Sequence, residues 1–214
     1  MNTQRRQQAL DEIRRYIRCE ITSGFVVLND LVERSLRTLG DGHDVRDFRP
    51  GAKRLLRAAI TAQRAVEERW PAVTDCDRLD AAIVVLEKAG IFTRLTFCYH
   101  PSGIAEIRPR LTQMCGEIRK VRGYAHCHIY ETDPFFFDGT LYFDFGSIPR
   151  SRKAAIGVGR EIASAIRAQG LDVAWSGNVK KCIAVALDWK RRLPQSVKSL
   201  AEGVVFGPLR KPPS

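Results

Sequence analysis

The chain is 214 residues long, 44% hydrophobic and 28% charged, with a formal net charge of +11. That composition can bury a core and excludes an intrinsically disordered chain. No apolar run approaches the roughly 18 residues of a membrane-spanning helix; the longest obvious one covers residues 81–86.

The first seventy residues read as helices. Leu10, Ile13, Ile17 and Ile21 recur at helical spacing, and Gly24 is a stop. Asn29 or Asp30 caps a second helix carrying Leu31, Val32, Leu36 and Leu39, closed by Gly40. The segment DGHDVRDFRPG, residues 41–51, is loop-like in its Asp and Gly content. A third helix follows, with Leu55, Leu56, Ala59, Ile60, Gln63 and Val66 on one side, ending near Trp70-Pro71.

From Thr74 the texture changes. Thr74-Asp75-Cys76-Asp77 opens a helix with acids in its first turn, which buries Leu79, Ala82, Ile83 and Leu86 and stops at Gly90. Residues 91–98 alternate as a strand does, and a turn at His100-Pro101-Ser102-Gly103 leads to a short return strand at 104–107. A helix is expected over 109–120, strands over 123–130 and 140–146, and a helix from Ser151 to Gly170. A hairpin of 172–175 and 182–187 ends the series. The fold class that follows is α+β, a mainly antiparallel sheet with helices packed on one face, preceded by an N-terminal helical region. The domains are 1–70 helical, 71–193 α+β, and a Pro-containing C-terminal tail over 194–214 that hugs the surface or moves freely.

Cysteine usage and the N-terminus bear on compartment. Cys19, Cys76, Cys98, Cys115, Cys127 and Cys182 are scattered without a CxxC pair, the pattern of reduced core residues rather than a disulfide framework. MNTQRRQQALDEIRRYIR lacks the apolar core of a secretory signal. A soluble, cytoplasmic protein without membrane contact or cofactor is expected.

The charge is uneven: +4 over residues 1–70, −1 over 71–150 and +8 over 151–214. The late excess sits in Arg152-Lys153, Lys180-Lys181, Lys190-Arg191-Arg192 and Arg210-Lys211. It suits an acidic partner, protein or nucleic acid, or else a solvated face that keeps the chain soluble.

The triplet His126-Cys127-His128 is the most chemically suggestive stretch. On a regular strand Tyr124, His126, His128 and Tyr130 share one face, and Ala125, Cys127 and Ile129 the other. The triplet is therefore not one metal cluster; Cys127 turns to the core and the two histidines face outward. If neighbouring strands align, Arg94, Thr96, Glu106 and Asp144 join the same ledge. Two imidazoles and two carboxylates (His126, His128, Glu106, Asp144) suit acid–base work, and the histidines suit a zinc ion. The plainer alternative is a half-exposed antiparallel face, where Tyr, His, Thr and Arg are ordinary. Phe135-Phe136-Phe137 reads as a loop plugging the core, or as a binding patch if exposed. No GxSxG, HExxH, phosphate-binding glycine loop or nucleic-acid motif is present, and GVGREI at 157–162 lacks GxGxxG spacing.

TDCDRLDAAIVVLEKAGIFTRLTFC, followed by GIAEI, GYAHCHIYET, GTLYFDFG, IGVGREIASAIRAQGLDVAWSG and LDWKRR, resembles a bacterial domain family of unknown function. That family runs DCDRLDAAF, LExxGI, CCxxCG, AEI, GYxxxHxQDT, LYLxYG, VxWxG and LDWxxR. The likeness spans about residues 70–192, with a looser fit at 13–32, and implies a small α+β protein with no activity to carry over. At the cysteine-rich turn only Cys98 and Gly103 keep their places, and Tyr99 and Ser102 stand for cysteines; if the turn binds metal in relatives, two ligands are lost here and His100 could stand in for one. His128 matches the second motif, but Tyr130 and Glu131 replace its Gln-Asp pair.

The departures favour a non-catalytic intracellular binding protein, an immunity or regulatory protein being one concrete form. Its acidic partner would meet Arg94, Tyr124, His128, Tyr130, Lys180, Lys181, Lys190, Arg191 and Arg192. The alternatives are a metal-dependent or acid–base enzyme on the His/carboxylate ledge, and a nucleic-acid-binding protein using the basic C-terminal third.

Overall fold

The structure, a computed structural model, describes residues 3–25, 28–39, 44–97, 121–128 and 137–194. Their Cα packing falls into two compact units. Residues up to 71 form the first together with Arg191–Pro194; described residues from Ala72 to Lys190 form the second.

The helical unit holds α1 (Thr3–Ser23), α2 (Leu28–Arg37) and α3 (Val45–Glu67). The apolar spacing in α1 brings Ala9, Ile13, Ile17 and Ile21 to one stripe, packed with Leu31, Leu36, Phe48, Ala52 and Leu193. Each Ile, Leu and Phe side chain among them contributes on the order of 1.5–3 kcal/mol by leaving water. Three local expectations fail here. Helix α2 starts at Leu28, so Asn29 and Asp30 lie inside it rather than capping it. Residues 45–51, read as loop, are the first turns of α3. Asp44 caps that helix, its Oδ1 accepting from the Arg46 N–H at 3.0 Å. Pro50 forfeits one helical hydrogen bond, but Phe48, 1% exposed, anchors the same turn in the core. Val66, expected inside, is 38% exposed.

The second unit runs α4 (Asp75–Lys88), β1 (Ile91–Phe97), β2 (Gly123–His128), β3 (Thr140–Ser147), α5 (Arg152–Ala168), β4 (Asp172–Ala174) and β5 (Ile183–Ala186). Thr74 and Asp77 form a capping box, and Ser151 caps α5. Gly90 and Gly170 follow α4 and α5 with positive φ, as the sequence suggests. The strand order is β1-β2-β3-β5-β4. Three of the four pairings are antiparallel, but β1 and β2 are parallel. Parallel neighbours need a crossover of a dozen or more residues, and 98–122 is long enough. The expected turn at 100–103, strand at 104–107 and helix at 109–120 lie outside the described residues.

Helices α4 and α5 pack on each other and on one face of the sheet. That face carries Ile91, Thr93, Ala125, Cys127, Leu141, Phe143, Phe145, Ile183 and Val185, all buried. Gly159 is what lets α5 settle. A Cβ there would stand 2.6 Å from the Trp175 ring and 2.8 Å from Phe145, so the second glycine of GVGREI serves packing, whereas a Cβ at Gly157 would meet open space. Arg122 ties the layers together. Its Nε donates to the Ala89 carbonyl at 2.7 Å, and its two terminal nitrogens grip Glu161 of α5. The hydrogen bond from Arg122 holds the Glu161 carboxyl below its ordinary pKa.

Candidate functional site

The strand registers decide what shares the ledge. Arg94 is aligned with His126, and His126 with Asp144, so guanidinium, imidazole and carboxylate form one row across three strands. The next row is Phe92, Tyr124 and Gly146. Tyr124 lies so close over Gly146 that a Cβ there would come within 2.7 Å of its hydroxyl. The ring fills the space that the missing side chain leaves.

The alignment expected from period two is present, but the outward exposure is not. Phe92 is 6% exposed, Arg94 9%, Tyr124 5% and His126 4%, so this face is buried at β1 and β2. It opens only farther along, where Tyr142 is 44% exposed. Arg94 is spent on the fold: Nη1 donates to Glu87 Oε1 at 2.6 Å and to the Thr93 carbonyl at 2.6 Å. Its Cζ lies 3.8 Å from the centre of the Phe92 ring. Asp144 is half-buried, its Oδ1 accepting from the Phe145 N–H at 3.0 Å. His126 stands 6.3 Å from Tyr124, centre to centre. Cys127 is fully buried on the helix face, as strand geometry requires. His128 closes β2 opposite Phe97; its side chain, Glu106 and Tyr130 lie outside the described residues. Phe137 packs on Trp189 at 5.7 Å, while Phe135 and Phe136 are likewise outside. Among the described residues no three His, Cys, Asp or Glu side chains are grouped to hold a metal ion. No described helix is long and apolar enough to cross a membrane.

The late basic residues divide by role. Lys180 and Lys181 are exposed beyond β4, where Asn178 Oδ1 accepts from the Lys180 N–H at 2.9 Å. Lys190 Nζ is 2.6 Å from Asp188 Oδ2. Arg191 and Arg192 instead fasten the chain to the helical unit. The Arg191 guanidinium lies 4.6 Å over Phe25; Arg192 lies 6.0 Å over Trp70 and donates to the Pro71 carbonyl. Leu193 is then clamped at both backbone groups. Its N–H donates to Glu67 Oε1 at 2.8 Å, and its carbonyl accepts from Arg64 Nη1 at 2.8 Å. Arg64 and Glu67 are themselves paired at 2.9 Å.

The helical unit exposes arginines on α1 and α2 as well, and a continuous basic stripe on α3. Arg46, Arg49, Lys53 and Arg57 recur at spacings of three and four, so they lie on one face, with Arg54 beside them. The opposite face holds Phe48, Ala52, Leu55, Leu56 and Ala59. Arg46, Lys53, Arg54 and Arg57 are exposed. Arg46 Nε is 4.0 Å from Asp44, and Arg49 pairs with Glu33. Lys53, Arg54 and Arg57 make no ion pair among the described residues. A shallow depression of about 400 Å³ lies among Arg49, Pro50, Lys53, Arg54 and Arg57. Sequence reasoning passed over this stripe because it took residues 41–51 for a loop, which erased the helical spacing of RDFRPGAKRLLR. Like charges three and four apart cost a helix about 0.2–0.5 kcal/mol per pair. Among the described residues Glu33 and Asp44 offset part of that cost at Arg49 and Arg46, and Lys53, Arg54 and Arg57 carry the rest.

A family model described as a domain of unknown function (DUF6891) matches residues 6–193. No curated protein and no solved structure matches the chain.

Proposed function

The chain belongs to that family, and from this premise we propose that it is a non-catalytic, cytoplasmic bacterial protein that binds an acidic macromolecule through the cationic face of α3. The observation that supports the reading is the unpaired trio Lys53, Arg54 and Arg57, exposed on one face of a helix whose other face is core. A binding role also fits the ledge, where Arg94 and His126 are buried among aromatic neighbours rather than lining an opening. Cys19, Cys76, Cys127 and Cys182 form no disulfide among the described residues, which fits a reducing compartment.

Retention on a sulfated polysaccharide resin tests the reading. The variant Lys53→Glu/Arg54→Glu/Arg57→Glu should elute at far lower salt than the parent. The control Arg152→Glu/Lys153→Glu/Arg160→Glu changes net charge equally on exposed positions of α5, and should shift elution less. Equal shifts would mean that only net charge matters and would defeat the reading.

A further inference from the structure

Resting on that reading, we infer that the ligand of the α3 face is the phosphate backbone of double-stranded DNA. The composition of the face separates this from an acidic protein. The exposed positions between 46 and 65 are Arg46, Asp47, Pro50, Lys53, Arg54, Arg57, Ala58, Thr61, Ala62 and Ala65. None is aromatic or a large aliphatic. Protein–protein interfaces draw most of their binding energy from such anchors, and charge is depleted at their centres. Exposed positions dominated by cations and small residues, with Asp47 the one acid among them, suit a ligand that is itself a dense array of charge, approached closely.

Geometry narrows the nucleic acid. From Arg46 to Arg57 the helix rises about 16 Å, while each strand of B-form DNA carries a phosphate about every 3.4 Å of axis. The stripe therefore spans several phosphates. The major groove of B-form DNA, about 12 Å wide, admits an α-helix, whereas the deep, narrow one of A-form RNA does not. Single strands are held by stacking on aromatic rings, which these exposed positions lack. Contacts to phosphate position a protein without reading sequence, so the binding is sequence-independent.

Fluorescence anisotropy on the full chain tests this, with three labelled probes: a 20-base-pair DNA duplex, a 20-nucleotide single strand and poly-glutamate. For three or four neutralised phosphates, duplex affinity should fall roughly 40- to 150-fold between 50 and 200 mM salt. Lys53→Glu/Arg54→Glu/Arg57→Glu should weaken it more than tenfold further. Lys53→Gln, a milder change that leaves the fold in place, should lower the log–log salt slope by about one. Poly-glutamate bound in preference to duplex would overturn the DNA assignment and leave the acidic-partner reading standing. No binding to any probe at 50 mM salt would overturn both. Single strand bound as tightly as duplex, or duplex binding untouched by the α3 variants, would overturn the inference alone.

Discussion

Two polar clusters in this molecule have similar residues and opposite circumstances. On the sheet, Arg94, His126 and Asp144 stand in one row, and the first two are below 10% exposed. On α3, Arg46, Lys53, Arg54 and Arg57 stand in water with their apolar partners behind them. Burial in the first case raises the cost of leaving any charge unmet, so Arg94 is consumed by Glu87, the Thr93 carbonyl and the Phe92 ring. Exposure in the second leaves the charges solvated and available. An arginine is thus a fastener or a contact according to its surroundings, and Arg191 and Arg192 repeat the first case within the helical unit.

Three substitutions can break or sharpen that contrast. Arg94→Ala removes one partner of an ion pair whose side chains are 10% and 17% exposed. It should cost about 3 kcal/mol in urea unfolding and leave polyanion affinity unchanged. A stable variant with altered binding would move the site to the sheet. Glu67→Ala strips the acceptor from the Leu193 N–H and the partner from Arg64. A loss of about 2 kcal/mol is expected, with faster proteolysis after residue 190 as the independent readout. If neither changes, the clamp on Leu193 is not holding the segment 191–194 in place.

The smallest effect belongs to Arg122 and Glu161, whose side chains are each 45% exposed. A carboxyl held below its ordinary value of 4.5 binds fewer protons folded than unfolded. Its stabilisation is present above that value and is lost as pH falls through the lowered one. Glu161→Gln should remove that part of the acid dependence, roughly 0.2–1 kcal/mol for so exposed a pair. Thermal unfolding scanned from pH 7 to pH 3 would reveal it as a flatter acid limb. An unchanged limb would show that the pair contributes nothing measurable.

Much of the architecture was legible in the chain. The isoleucines at 13, 17 and 21 announced the core stripe of α1, and Thr74 with Asp77 announced the start of α4. Alternation in GYAHCH separated Cys127 from His126 correctly, because strand geometry is local. The candidate ledge was half legible: its alignment followed from period two, but its burial did not. The α3 stripe was hidden by a local misreading. Asp and Gly at 41–44 and Pro50 carry turn signals, and the burial of Phe48 that overrides them is a tertiary fact.

By itself, then, the sequence determined the buried stripe of α1, the starts of α4 and α5 at Thr74 and Ser151, the strand faces and the α+β class, since most of these rest on contacts within a few residues. Only the tertiary structure decided that β1 runs parallel to β2, that the His126 face is covered, and which arginines are already engaged. Those outcomes depend on pairings between residues far apart in the chain, Arg94 with His126 or Arg191 with Phe25. No local period encodes them.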